Sequence, residues 1–361
     1  KHHNMTQFFS AMVTSNGRVF YIQDEALPGI AGMPDKWFLF ARDAYNGTIF
    51  WKRKLPDWQN HLFALKSGPA YLPRRLIAIE NRVYVTLGMM AGLSELDAAT
   101  GEIIRTFPDT ENTSEVIFSN GTMFLLIGHP EKRKEKYVPE IINVWDAPDW
   151  ARSEWAWSRE PAAVAALHAD TGSVLWKKTY PVAPLSLSAD SEAVYFYDGS
   201  QIVCLNRQDG RENWKSQSIE SRLIDTAYAP RMVVSEDVVI FSTGNSKVIA
   251  LSAADGRELW QGKQEASGHY SPEDIMVIDS LVWTGATAWT DQKGTYVGMD
   301  LHTGEIKSRF DCDADPDLYW FHQRCYPSKA TENYILPSRT GIEFVDLEKQ
   351  HWTVNHYVRG G

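Results

Sequence analysis

The chain has 361 residues, a net charge of −10, 12% aromatic residues and 14 Trp. An acidic chain lacks the basic footprint that phosphate backbones require, which argues against a nucleic-acid partner. No run reaches the roughly 18 apolar residues of a membrane-spanning helix, whereas the aromatic content supplies a sizeable core.

Taken in chain order, one phrase returns seven times: an alternating strand, a turn ending in Gly, and a strand that often closes on Trp. The copies lie at residues 41–51, 96–104, 166–176, 204–214, 250–260, 298–306 and 343–352, with turn glycines at 47, 101, 172, 210, 256 and 304. The seventh copy has lost its Gly but keeps a Trp, at 352. Asn-Gly, Asp-Gly or Thr-Gly supplies the positive φ of a tight hairpin turn. The Trp is placed to cover a neighbouring unit's edge while its N–H finds a partner. Two further strand-like runs precede the phrase, as in residues 76–79 and 83–87 and again in 232–234 and 238–241. Each unit thus reads as four strands. A strand repeat of roughly 40–50 residues means units that bury their faces only against one another. The expected fold is all-β: a β-propeller of four-stranded antiparallel blades with seven repeats visible, either seven- or eight-bladed.

The phrase resembles the A-x-D-x-x-T-G-x-x-x-W docking motif of the PQQ-type β-propeller repeat family. That family includes quinoprotein alcohol dehydrogenases and the outer-membrane assembly lipoprotein of Gram-negative bacteria. The resemblance covers about residues 11–354 and favours eight blades; it is specific for fold and weak for function, because catalytic and non-catalytic propellers share the motif. The chain also looks like propeller segments of larger exported bacterial proteins, in which a run similar to His322-Gln323-Arg324-Cys325-Tyr326 recurs. A single domain over residues 1–361, an insertion at about 129–161, and a piece of a longer exported protein, periplasmic or extracellular, are the resulting expectations. The abrupt start at Lys1 points the same way.

Cys204 stands at the Ala position of the repeat and reads as a small core residue. Cys312 and Cys325 flank one connection between blades, and the sequence leaves their pairing open.

Successive antiparallel strands send the connections between blades, and the loops between second and third strands, to one face. Residues just before each first strand crowd the channel mouth there. That list is cationic: Arg74 and Arg75, Arg231, His269 with Tyr270, and His322 with Arg324 and Tyr326. Forked Arg contacts suit carboxylate or sulfate, and the set would focus positive potential. The insertion adds Trp145, Trp150, Trp155 and Trp157 around a short helix expected at 147–155. Rings of that kind stack on sugars, and they equally pin an insertion to its scaffold.

The reading is a recognition propeller that binds an anionic small molecule or an acidic or sulfated glycan through Arg74, Arg75, Arg231, His269, His322, Arg324 and Tyr326, with Trp150 and Trp155 at the rim. Whether any chemistry occurs stays open. A lyase or hydrolase of acidic polysaccharide would draw its acid–base groups from His269, Tyr270, His322 and Tyr326 and its carboxylate clamp from Arg324. No metal site and no cofactor are expected. The alternative that the resemblance implies, PQQ held with Ca²⁺, meets no adjacent cysteine pair and no Ca²⁺ loop of Asp, Asn and Glu here; the Trp positions at Arg105 and Ser308 are also degenerate. A protein-interaction scaffold is the remaining alternative, with the rest of a larger polypeptide or another protein as partner. An exposed apolar patch would favour it.

Overall fold

Alternating apolar residues fold into seven antiparallel sheets of four strands each, in chain order within every sheet. The structure, a computed structural model, describes residues 9–25, 36–56, 58, 74–128, 157–221, 231–265, 275–285, 294–311, 313, 328–337 and 342–355. Blade 1 is β1 (Phe9–Ser15), β2 (Arg18–Asp24), β3 (Trp37–Asp43) and β4 (Ile49–Lys54); blade 2 is β5 (Leu76–Ile79), β6 (Arg82–Thr86), β7 (Leu93–Asp97) and β8 (Ile103–Thr106). Blade 3 is β9 (Thr113–Ser119), β10 (Thr122–Ile127), β11 (Pro161–His168) and β12 (Val174–Pro181); blade 4 is β13 (Ser188–Ala189), β14 (Ala193–Tyr197), β15 (Ile202–Asn206) and β16 (Glu212–Lys215). Blade 5 is β17 (Met232–Ser235), β18 (Val238–Ser242), β19 (Lys247–Ser252) and β20 (Glu258–Lys263); blade 6 is β21 (Met276–Ile278), β22 (Leu281–Thr284), β23 (Thr295–Asp300) and β24 (Ile306–Asp311). Blade 7 is β25 (Lys329–Ala330), β26 (Tyr334–Leu336), β27 (Ile342–Asp346) and β28 (His351–Asn355). All elements among the described residues are strands.

The first strands of blades 1 to 6 sit side by side, β1 on β5, β5 on β9, and so on to β21. They form the inner wall of a β-propeller. The two middle strands of blades 1 to 6 are largely buried, so their side chains fill the junctions to either side. Six core clusters result, each shared by two consecutive blades. The insertion separates β10 from β11, as expected for a loop between second and third strands. Its helix at 147–155, with Trp145, Trp150 and Trp155, lies outside the described residues. Trp157 is described and packs against blade 4, where it lies over Gly199.

Neighbouring blades are joined by a repeated lock. The indole N–H of Trp51 donates to the Ala98 carbonyl at 3.0 Å, and Trp176, Trp214 and Trp260 donate to Arg207, Ala253 and Leu301 at 2.7–2.9 Å. Each ring lies flat on the next blade's turn glycine. A Cβ at Gly101, Gly210, Gly256 or Gly304 would stand 2.4–2.7 Å from ring carbons, so these positions need Gly for close approach. Blade 2 has Arg105 where the Trp would be. Its guanidinium donates to the Asp170 carbonyl at 2.5 Å and pairs with buried Glu95 at 2.7 Å, while Phe107 lies against Gly172. Blade 6 has Ser308, and there the facing turn carries Gln350, which reaches back to the Ser308 hydroxyl at 3.5 Å. At this junction Trp and Gly are both absent.

The seventh copy departs from the sequence reading. In blades 1 to 6 the pairing of third and fourth strands shifts by one residue just before the turn, a bulge that rotates the outer strand and turns the Trp position forward. The pairing of β27 with β28 runs without that shift, Val345 facing Trp352. Trp352 therefore lands on the opposite face and packs back on Tyr296 of blade 6, with centroids 5.7 Å apart. It is a core residue of the sixth junction and not a lock.

Candidate functional site

The channel mouth was expected from the residues that precede each first strand, and those of blades 2 to 5 form one bonded strap. Arg74 pairs with Glu115 of β9 through a parallel bridge, its carbonyl accepting the Val116 N–H at 2.7 Å. The Arg74 guanidinium donates to the Glu115 carboxylate at 3.3 Å and to the Leu187 carbonyl at 3.2 Å. The other Glu115 oxygen accepts the Leu185 N–H at 2.6 Å. The Leu185 carbonyl in turn accepts the Arg231 N–H at 2.8 Å. Leu185 has φ +58°, a left-handed backbone that a bulky residue adopts only when its surroundings insist. That conformation points its two polar groups at the blades on either side.

Glu115 is fully buried, and burial holds its carboxyl above the ordinary 4.5, opposed by Arg74 and by the Leu185 N–H. No sequence signal marked it. Its position in β9 reads as an ordinary strand residue, and its partners come from 41 residues before and 70 residues after it.

The cations singled out from sequence have individual fates. Arg74 is at the mouth, with its side chain 22% exposed. Arg75 turns inward: it is buried, lies 4.2 Å over the Trp58 ring, and donates to the carbonyls of Trp58 and Met89 at 3.2 Å. Arg231 is 3% exposed and donates to the Ser221 hydroxyl at 3.2 Å. Arg75 and Arg231 thus hydrogen-bond within the wall. His269, Tyr270, His322, Arg324, Tyr326, Trp150 and Trp155 lie outside the described residues, as do Cys312 and Cys325. Cys204 is buried and free beside Trp214, and burial pushes its thiol up to about 12.

Among the described residues no three His, Cys, Asp or Glu side chains come together as a metal site. Arg74, Arg75 and Arg231 each donate to protein oxygens.

The outer rim shows a second feature. At equivalent places in consecutive outer strands stand Ile49-Phe50, Ile103-Ile104 and Val174-Leu175, all 42–49% exposed. The same places in blades 4 and 5 hold Glu212-Asn213 and Glu258-Leu259. The strands of the apolar arc continue into Lys52, Arg53 and Lys54, Arg105, and Lys177 and Lys178, with no acidic residue among them.

The family described as the outer membrane protein assembly factor BamB matches residues 161–310. Solved structures agree with the whole outline. The computationally designed Ika8 protein is 13% identical, with 99% of this chain and 89% of that one covered and a TM-score of 0.61. BamB from Moraxella catarrhalis is 14% identical, with 92% and 93% covered and a TM-score of 0.51. The chain has the fold of the PQQ-type β-propellers. The quinohemoprotein alcohol dehydrogenase ADHIIG from Pseudomonas putida HK5 shares it at 12% identity and a TM-score of 0.56 over 94% of this chain; the PQQ-type propeller described here spans 64% of that enzyme. No curated protein sequence matches the chain. No helix among the described residues is long and apolar enough to cross a membrane.

Proposed function

We propose that the chain is an exported interaction propeller whose partner-binding surface is the apolar, basic-flanked arc on the outer rim of blades 1 to 3. The observation that carries this reading is the arc itself. Six large apolar side chains are left in water at equivalent places on three consecutive blades, and acidic or polar residues occupy the first of those places in the next two. Large apolar side chains left exposed at recurring, charge-flanked places are the kind of surface on which protein partners dock. The outer strands are also sheet edges, with unpaired backbone groups that accept an extended segment. The family matching residues 161–310 is named for outer membrane protein assembly, in keeping with a scaffold and with an exported location. The favoured partner is a protein segment with apolar and acidic residues.

A photo-reactive phenylalanine analogue placed at Phe50, Ile104 or Leu175 is expected to crosslink one discrete partner in the native host. The same analogue at Asn213 or Leu259 is expected to give none. Equal adducts from both sets, or none from the first, would overturn the proposal. An anionic small molecule or glycan at the channel mouth is the second reading; among the described cations it draws on Arg74, whose side chain keeps some exposure at the rim of the strap.

A further inference from the structure

The first glycine of the lock series has no ring on it among the described residues. Gly47 is exposed, and a Cβ there would meet none of the described residues within 4 Å. The turn around it is nevertheless built like the working sockets. Asp43 caps the N–H groups of Tyr45 and Asn46 at 2.8 and 3.0 Å, as Asp97 caps Ala99 and Thr100 in blade 2. The Ala44 N–H is held by the Gly17 carbonyl at 2.8 Å, as the Ala98 N–H is held by Asn81 at 3.0 Å. The carbonyl corresponding to that of Ala44 is the one that accepts the indole N–H in blades 2, 4, 5 and 6.

Gln350 decides what the glycine is for. It occupies the same turn position in blade 7 at φ +53°, so the turn closes without Gly. That exchange occurs where the facing residue is Ser308 and not a ring. At this one position of the repeat, glycine stands at 101, 172, 210, 256 and 304, each with an aromatic ring against it, and Gly47 is kept as well. Trp352 does not serve it, since it faces blade 6.

We propose that the rim of blade 1 around Ala44 and Gly47 is an exposed tryptophan socket that takes a further hairpin of this same repeat type. The incoming indole lies on Gly47 and donates its N–H to the Ala44 carbonyl, continuing the existing series of locks. Tyr45, 90% exposed, and Phe50, 47% exposed, supply apolar surface beside it. The occupant is a β-hairpin whose outer strand ends in Trp, a different chemistry from the partner of the arc on blades 1 to 3.

The test uses a fluorescent cyclised hairpin copying residues 247–263, which carries Trp260, titrated into the full chain. Saturable binding is expected. It should weaken about tenfold or more with Gly47→Asn, which keeps the left-handed turn but puts a Cβ in the ring's place, and equally with a hairpin whose Trp is replaced by Ala. Ile104→Ser with Leu175→Ser should leave it unchanged, which separates this socket from the arc. An unaltered melting temperature shows that Gly47→Asn still folds. No binding, or binding indifferent to Gly47→Asn or to the Trp, would overturn the proposal.

Discussion

Replacing Trp260 with Ala should destabilise the propeller by about 3–5 kcal/mol, the range for removing a large buried aromatic side chain. Trp260 is 7% exposed, donates to the Leu301 carbonyl at 2.8 Å, and lies within the cluster joining blades 5 and 6. Its removal leaves a cavity at that junction and a carbonyl without its donor. The complementary change, Gly304→Ala, pushes a Cβ to 2.7 Å from the same ring at φ +72°. It should destabilise by about 2–4 kcal/mol, combining left-handed strain with overpacking. Gly47→Ala meets the strain without the ring and should lose only about 1–2 kcal/mol. Urea midpoints of the three variants measure the differences. Equal losses at Gly304 and Gly47 would show that the glycines serve the turn alone.

Glu115→Ala should destabilise by about 2–4 kcal/mol, because it strips the buried Leu185 N–H of its acceptor and the Arg74 guanidinium of its counter-charge. Glu115→Gln keeps an oxygen for the Leu185 N–H and should lose about 1 kcal/mol or less. The two variants also separate by pH. Burial raises the Glu115 pKa, so the folded chain holds that proton more tightly than the unfolded chain. The stability this contributes is full below the unfolded value and is lost as pH rises through the raised folded value. Stability of the natural chain relative to Glu115→Gln should therefore fall from acid toward neutral pH in a denaturation series. A difference that stays flat, or rises with pH, would mean that Glu115 is not desolvated as the strap requires.

Much of this architecture is written in short stretches. The strands at residues 76–79 and 232–234, and the Trp locks at 51, 176, 214 and 260, follow from local alternation and a motif a dozen residues long. Trp352 misleads because its role depends on a bulge, and one missing bulge residue turns the outer strand over. Sequence position alone did not give the partners of the described cations. Arg74, Arg75 and Arg231 do precede first strands, yet the direction of each guanidinium is set by Trp58, Glu115 and Ser221, which no local pattern ties to them. The apolar arc was not read from the sequence, where Ile49-Phe50, Ile103-Ile104 and Val174-Leu175 look like ordinary strand residues. Its exposure follows from the outer strand being the edge of every blade, which makes it a surface and not a core.

The division of labour between rim and mouth is best tested by a thermal-shift panel on the full chain, with PQQ and Ca²⁺, uronate oligosaccharides, sulfated oligosaccharides and neutral sugars. A melting temperature that stays within about 1 °C across the panel is the expected result, since a ligand stabilises only as far as it binds the folded state. A rise of several degrees with one anionic class, abolished by Arg74→Ala, would contradict it and move the function from the rim to the channel mouth.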